Sequence, residues 1–258
     1  MSSGNFVLIL DFGSQYTQLI ARRVREAEVY CEIHPGNAPL STIQARKPNA
    51  VVLSGGPQSV YDKDSPQCDR GVFDLGVPVL GICYGQQLLA HQLGGKVSPS
   101  SEREYGAAQL EVDQSLGILS PFPRGEKLAV WMSHGDSITE LPPGFVRIGH
   151  SDNAPFAAIG NAERKIYGIQ FHPEVAHTPR GRDLLDAFLF KVAGLKPDWT
   201  PSSFVESSLK HIRQMVGPNE KVLCALSGGV DSAVAAVLTH RAIGDQLVCV
   251  FVDNGVLR

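Results

Sequence analysis

Cys83 sits in Pro78-Val79-Leu80-Gly81-Ile82-Cys83-Tyr84-Gly85-Gln86-Gln87, with a glycine two residues away on each side. An apolar run over 77–82 predicts a buried strand, and 86–93, closed by Gly94 and Gly95, predicts a helix. A cysteine on so short a connection lies on a strand-to-helix turn too sharp for side chains beside it, the thiol counterpart of a nucleophile elbow. Such a turn lifts the sulfur clear of the sheet. It also sets the sulfur at a helix N-terminus, whose partial positive charge favours thiolate. An unperturbed cysteine is only a few per cent ionised near neutral pH, so this activation matters.

A thiolate nucleophile needs a base, and the base needs an orienting group. Gln170-Phe171-His172-Pro173-Glu174 supplies both at the end of an extended run, where side chains two apart point the same way. The Glu174 carboxylate can hold the His172 imidazole in the tautomer whose free nitrogen faces the sulfur. The other seven of the eight histidines read as surface or core residues. In Ser54-Gly55-Gly56-Pro57, the glycines Gly55 and Gly56 end a strand expected beside the elbow strand. A glycine turn there exposes backbone N–H groups to the oxyanion of a tetrahedral intermediate. Alone the tetrapeptide is a turn; its position gives it the second meaning.

A second motif, Ser227-Gly228-Gly229-Val230-Asp231-Ser232, follows an apolar strand and opens a helix. Its amides and hydroxyls converge on an anion at a helix N-terminus. It lacks the Gly-Lys-Ser/Thr ending of a Walker A loop, and no G-x-G-x-x-G is present.

The elements that must position these residues alternate. Apolar runs at 6–10 and 50–53 predict central strands covered on both faces, and Leu19, Ile20 and Val24 stripe a helix between them. This β-turn-α rhythm implies an α/β fold with a mostly parallel sheet and its functional loops at the strands' C-terminal ends. Short strands at 107–112, 128–131, 145–148, 156–159 and 165–171, punctuated by proline and glycine, complete a mixed open sheet in antiparallel fashion. A helix is expected over 182–192. The stretch 194–203 reads as a linker, followed by a Ser203-x-x-Glu206 capping box, a striped helix and a βαβ unit with strands at 222–226 and 247–252.

At 258 residues with 43% hydrophobic and 19% charged content, the chain has the composition of a globular protein with a large core. A net charge of −3 offers no surface for nucleic acid or anionic membrane, and Arg22, Arg23 and Arg25 read as a solvated helix face. Cys31, Cys68, Cys83, Cys224 and Cys249 are odd in number and show no C-x-x-C. That argues against a disulfide framework or a metal site and for a reducing, cytoplasmic compartment. The first apolar run stops at Asp11, too short for a signal or a span.

Over roughly 6–193, the elbow, the His-Pro-Glu pair and the glycine turn together resemble the class I, triad-type glutamine amidotransferases. The resemblance implies that Cys83 attacks the carboxamide of glutamine and releases ammonia through a thioester, without a cofactor. His172 is then the base and acid, with Glu174 its orienter. It further implies oxyanion N–H groups from Gly56 and Tyr84, and contacts to the substrate from Gln87 and from the backbone of Ser133 and His134. Asp136 is given no role beyond structuring its turn. The hexapeptide at 227–232 resembles the pyrophosphate loop of ATP pyrophosphatases, with 251–255 (including Val252) where that family places adenine.

The two motifs in this order, with Asp11 to Gln18, Trp131 to Asp136 and Val252 to Arg258, resemble the glutamine-hydrolysing GMP synthase family. That resemblance implies ligase chemistry in which ATP and Mg²⁺ activate the C2 oxygen of XMP as an adenylate and ammonia displaces AMP. It implies an amidotransferase domain at 1–193, a linker at 194–203 and, at 204–258, the first part of a pyrophosphatase domain. The family continues further, into a dimerisation domain that makes it a homodimer. The expectation for this chain is therefore glutamine hydrolysis without complete GMP synthesis. The rival expectations are an amidotransferase for another acceptor and a glutamine-binding regulatory fragment without turnover.

Overall fold

The computed structural model describes residues 6–252, the side chains of 101–103 excepted. Two compact units divide at Asp198 and Trp199. The first contains β1 (Phe6–Asp11), α1 (Thr17–Glu26), β2 (Tyr30–Pro35), α2 (Leu40–Arg46), β3 (Ala50–Leu53), β4 (Val79–Ile82) and α3 (Tyr84–Gln92). There follow β5 (Lys96–Val112), β6 (Lys127–Glu140), β7 (Val146–His150), β8 (Ala158–Asn161), β9 (Ile166–Ile169) and α4 (Gly181–Asp186). The helix begun by α4 continues over Ala187–Val192 with π-helical bonding. Among the described residues the strands form one mixed sheet in the order β2-β1-β3-β4-β9-β8-β7-β5-β6. The pairs from β2 to β9 are parallel, and those from β9 to β6 antiparallel.

The continuous apolar runs have their cause in this order. β3, β4 and β9 are buried at every position, because helices cover both faces of the parallel half. Alternate residues divide between two cores. Val7, Ile9, Val52, Leu80 and Ile82 join one; Leu8, Leu10, Val51, Leu53 and Val79 join the other. By contrast β6 alternates buried and more exposed positions along most of its length, as an antiparallel strand with one wetter face does.

The elbow depends on its glycines through contact. A Cβ on Gly85 would lie 2.4 Å from the Leu53 carbonyl oxygen, and one on Gly81 would lie 2.5 Å from the Gly85 carbonyl oxygen. Both clashes are with backbone of adjoining elements, which has little room to yield. Gly85→Ala is expected to destabilise the first unit by about 3 kcal/mol, the upper part of the overpacking range. A urea titration of both proteins reads this directly; equal midpoints would show that the elbow has slack.

In the second unit α5 (Pro201–Met215) precedes β10 (Val222–Leu226), α6 (Val230–Ile243) and β11 (Leu247–Phe251), with β10 and β11 parallel. The capping expectation needs correction. Thr200 is the N-cap: its Oγ1 accepts from the Ser203 N–H at 3.1 Å, while Ser203 Oγ accepts from the Thr200 N–H at 2.9 Å. Pro201 at the first helical position, whose missing N–H costs nothing there, favours this earlier start over one at Ser203. The helix therefore begins inside the stretch expected to be linker. Among the described residues of this unit Ala236 is buried, whereas Leu223, Val248, Val250 and Phe251 are exposed. Asp253 to Arg258 lie outside the described residues.

Candidate active site

The C-terminal ends of β1, β3, β4 and β9 meet at one edge of the sheet, where open α/β sheets bind ligands. Cys83 caps α3 there with φ +52° and ψ −109°, left-handed backbone that a non-glycine residue adopts at a cost of about 1–3 kcal/mol. Its N–H donates to Ile169 O at 2.7 Å, tying the elbow to β9 just ahead of His172. The Cys83 S–H donates to Ser133 O at 3.4 Å, and the Gln170 side-chain amide donates to the sulfur at 3.7 Å.

His172, from beyond β9, lines the same cleft as Cys83, and interaction with Cys83 is among the causes that raise its pKa. Its Nδ1 lies 2.7 Å from Glu174 Oε1, so the other ring nitrogen is the one left for sulfur. Both side chains of that pair are nearly solvent-free. Burial alone would lower the His172 pKa; the interactions with Cys83 and then Glu174 outweigh it and raise it to about 10. The backbone is clamped as well. His172 N–H donates to Trp131 O at 3.0 Å, and Thr178 Oγ1 donates to His172 O at 2.7 Å. The Tyr16 ring meets the imidazole edge-on at 5.1 Å, and Arg23 Nε donates to Glu174 O at 3.0 Å, so α1 supports the pair from behind.

Gly55 and Gly56 follow β3 against this pair. A Cβ on Gly55 would come within 3.2 Å of the His172 ring, and one on Gly56 within 2.8 Å of Phe12 O and 3.1 Å of the Tyr84 ring. Any side chain here would displace the imidazole or the elbow. Among the described residues the Gly56 and Tyr84 N–H groups have no hydrogen-bond partner. Tyr84 itself is buried, its hydroxyl donating to Pro66 O at 2.6 Å.

A cleft of about 620 Å³ opens over these residues, with Cys83, His172, Gln87, Ser133 and Asp136 in its wall. Gln87 also works inside the wall: its Nε2 donates to Asp136 O at 3.0 Å and to Gln170 Oε1 at 3.1 Å. Ser133 presents its carbonyl to the thiol, whereas the His134 side chain turns away, buried between Asp136 O and Glu104 Oε2, each 3.0 Å from a ring nitrogen. Asp136 does more than shape a turn. Ser59 Oγ and Tyr61 Oη donate to its carboxylate, at 2.8 Å for Tyr61, and hold it at the cleft. Sequence reading missed this and missed Gln170, although Gln170 stands two residues before His172 on the same side of an extended run, which is the available signal.

The phosphate-type motif of the second unit forms the connection from β10 to α6. Gly228 has φ +80°, and Gly229 caps the helix. Ser227 Oγ and Ser232 Oγ lie 3.1 Å apart, Ser232 Oγ donates to Gly229 O at 3.0 Å, and Asp231 stands in the first turn. Val230 and Val252 are exposed. No group of three or more His, Cys, Asp or Glu side chains placed to hold a metal ion occurs among the described residues, and none of their helices is long and apolar enough to cross a membrane.

Comparison with known proteins agrees with this geometry. The glutamine amidotransferase class-I family model matches residues 8–192, and the NAD synthase model matches 204–253. The chain is 55% identical over 258 residues to the glutamine-hydrolyzing GMP synthase of Maridesulfovibrio salexigens, covering all of this chain and 50% of that one. It is 56% identical over 255 residues to that of Neisseria meningitidis, covering 98% of this chain and 48% of the other. The chain thus spans about half the length of these relatives. A crystal structure of a putative GMP synthase subunit from Thermoplasma acidophilum superposes with a TM-score of 0.67 at 29% identity, over 75% of this chain and 96% of that one. With the first family model matched across nearly the whole of the first unit, this chain belongs to the class-I glutamine amidotransferases.

Proposed function

We propose that the first unit hydrolyses glutamine to glutamate and ammonia, with Cys83, His172 and Glu174 as its catalytic triad. The observation that carries this is that His172, held through Nδ1 by the Glu174 carboxylate at 2.7 Å, lines one cleft with Cys83, which stands at the N-terminus of α3. His172 takes the thiol proton and the thiolate attacks the carboxamide carbon. The resulting oxyanion is received by the Gly56 and Tyr84 N–H groups. The imidazolium returns its proton to the departing nitrogen, ammonia leaves, and a glutamyl thioester remains on Cys83. Water, deprotonated by His172, then attacks the thioester and releases glutamate. Glu174 keeps the ring oriented and stabilises its positive charge throughout. Glutamine is a zwitterion, and the Asp136 carboxylate at the cleft is a suitable partner for its ammonium group.

The relatives named as GMP synthases indicate where the ammonia goes. In this reading it displaces AMP from XMP activated at C2, in a ligase of which the second unit forms the first part of an ATP-pyrophosphatase domain. The 227–232 loop fits a pyrophosphate. The left-handed Gly228, the Gly229 cap and two converging hydroxyls leave the first N–H groups of α6 available to an anion. Asp231 would hold the magnesium that accompanies ATP, which neutralises phosphate charge. Such an enzyme acts in the cytoplasm, where XMP and ATP are made, and assembles as a homodimer through parts beyond the matched half.

Thiol chemistry tests the first unit directly. Iodoacetamide near neutral pH is expected to abolish ammonia release and to label Cys83 ahead of Cys31 and Cys68. Burial pushes the Cys31 thiol up to about 11 and the Cys68 thiol up to about 12, so neither supplies useful thiolate. Ammonia release that survives complete labelling of Cys83 would exclude the mechanism.

A further inference from the structure

We propose that Gln170 is a catalytic residue of this thiol site, whose side-chain N–H donates to the Cys83 sulfur and holds it while it carries negative charge. The proposal rests on the reading of Cys83 as nucleophile. Gln170 is 2% exposed, and its backbone N–H donates to Ala157 O at 2.8 Å, which ties the residue to the segment entering β8. Its amide polarity follows from its neighbours. Asp136 O, a backbone carbonyl that can accept but never donate, receives the Gln87 side-chain nitrogen at 3.0 Å. The same nitrogen donates to Gln170 Oε1 at 3.1 Å. With its oxygen end engaged, Gln170 turns its nitrogen end to the sulfur at 3.7 Å. Reversing either amide would set oxygen against oxygen, or nitrogen against nitrogen, between two buried side chains.

A donor at that point matters once the thiol ionises. In the neutral state the S–H is directed at Ser133 O, 3.4 Å away. When the proton moves from Sγ to the free ring nitrogen of His172, this bond is lost and the Ser133 oxygen faces an anion. His172 supplies one compensating donor and Gln170 supplies another. The other ionisable side chains of the cleft are Tyr16, Tyr61, Tyr105, His134 and Asp136, with Glu174 behind His172 and Glu104 behind His134. Gln170 stays neutral and gives up no proton, so it stabilises thiolate without competing for the proton that His172 must carry. Hydrogen bonds to charged groups are stronger than neutral ones, which sets the size of the effect.

The test uses the full 258-residue chain as wild type, Gln170→Leu, Gln170→Glu and Cys83→Ser. Two quantities are measured: the rate of iodoacetamide alkylation at Cys83 against pH, by peptide mass spectrometry, and kcat and KM for glutamine hydrolysis. Gln170→Leu is expected to move the alkylation midpoint to higher pH and lower kcat by about 10- to 100-fold with KM little changed. Gln170→Glu keeps the volume and the acceptor for Gln87 but opposes the sulfur with oxygen, so its midpoint should move further. Should Gln170→Leu melt early, the isosteric Gln170→Glu decides. Wild-type alkylation profiles and kcat in the Gln170 variants, with Cys83→Ser inert, would overturn the Gln170 assignment and leave the nucleophile standing. Glutamine hydrolysis by Cys83→Ser would overturn both.

Discussion

Replacing Cys83 with alanine is expected to slow glutamine hydrolysis roughly 10⁴- to 10⁶-fold, the loss seen when a covalent catalyst loses its nucleophile. Serine should fare little better, because a hydroxyl is a much weaker nucleophile than a thiol and gives up its proton less readily. Cys83→Ala removes one heavy atom from a position 5% exposed at the cleft wall, so the fold should survive and circular dichroism should be unchanged. The two motifs also predict a separation of functions. In a chain carrying the complete synthetase, GMP formation from ammonium salts should persist in the alanine variant while formation from glutamine disappears. Loss of both would mean that the thiol serves the synthetase as well, which the two-site account forbids.

The second large effect belongs to His172 and Glu174. On the proposal that His172 and Cys83 act as one unit, His172→Ala should cost nearly as much as Cys83→Ala, and the double variant little more than either. Additive losses would mean that they work independently. The pair also predicts a pH dependence of stability. The folded-state pKa of His172, about 10, exceeds its ordinary value of 6.5. Folding therefore retains a proton that the unfolded chain gives up. That stabilisation is complete below about pH 6.5 and is lost as pH rises through about 10. Glu174→Gln removes one of the causes that raise the pKa, so the variant should lose this stability at lower pH than the wild type. Urea midpoints measured from pH 6 to 10.5 in both proteins test the shift; superposable curves would contradict the charged pair.

What the sequence disclosed divides along physical lines. The parallel half was legible because strands buried on both faces become continuous apolar runs, and 50–53 coincides with β3. β5 and β6 were longer than their apolar segments suggested: β6 continues through Ser133, His134 and Asp136, polar residues that a strand pattern does not advertise. β2, with Glu32 and His34 among its six residues, and the short α2 gave no clear period. At the site, the Gly-x-Cys-x-Gly spacing and the His-Pro-Glu step were readable because each is local. The interior duties of Gln87, the turned-away His134 and the Asp136 carboxylate held by Tyr61 were not, since each depends on contacts dozens of residues away.

One covalent species tests the centre of the account. The chain is mixed with isotopically labelled glutamine, quenched in acid during turnover and digested, and the peptides are weighed. The account predicts a labelled glutamyl group on the peptide bearing Cys83, bound as a hydroxylamine-sensitive thioester and absent from Cys83→Ala. Ammonia release from a chain that never carries that label on Cys83 would contradict it.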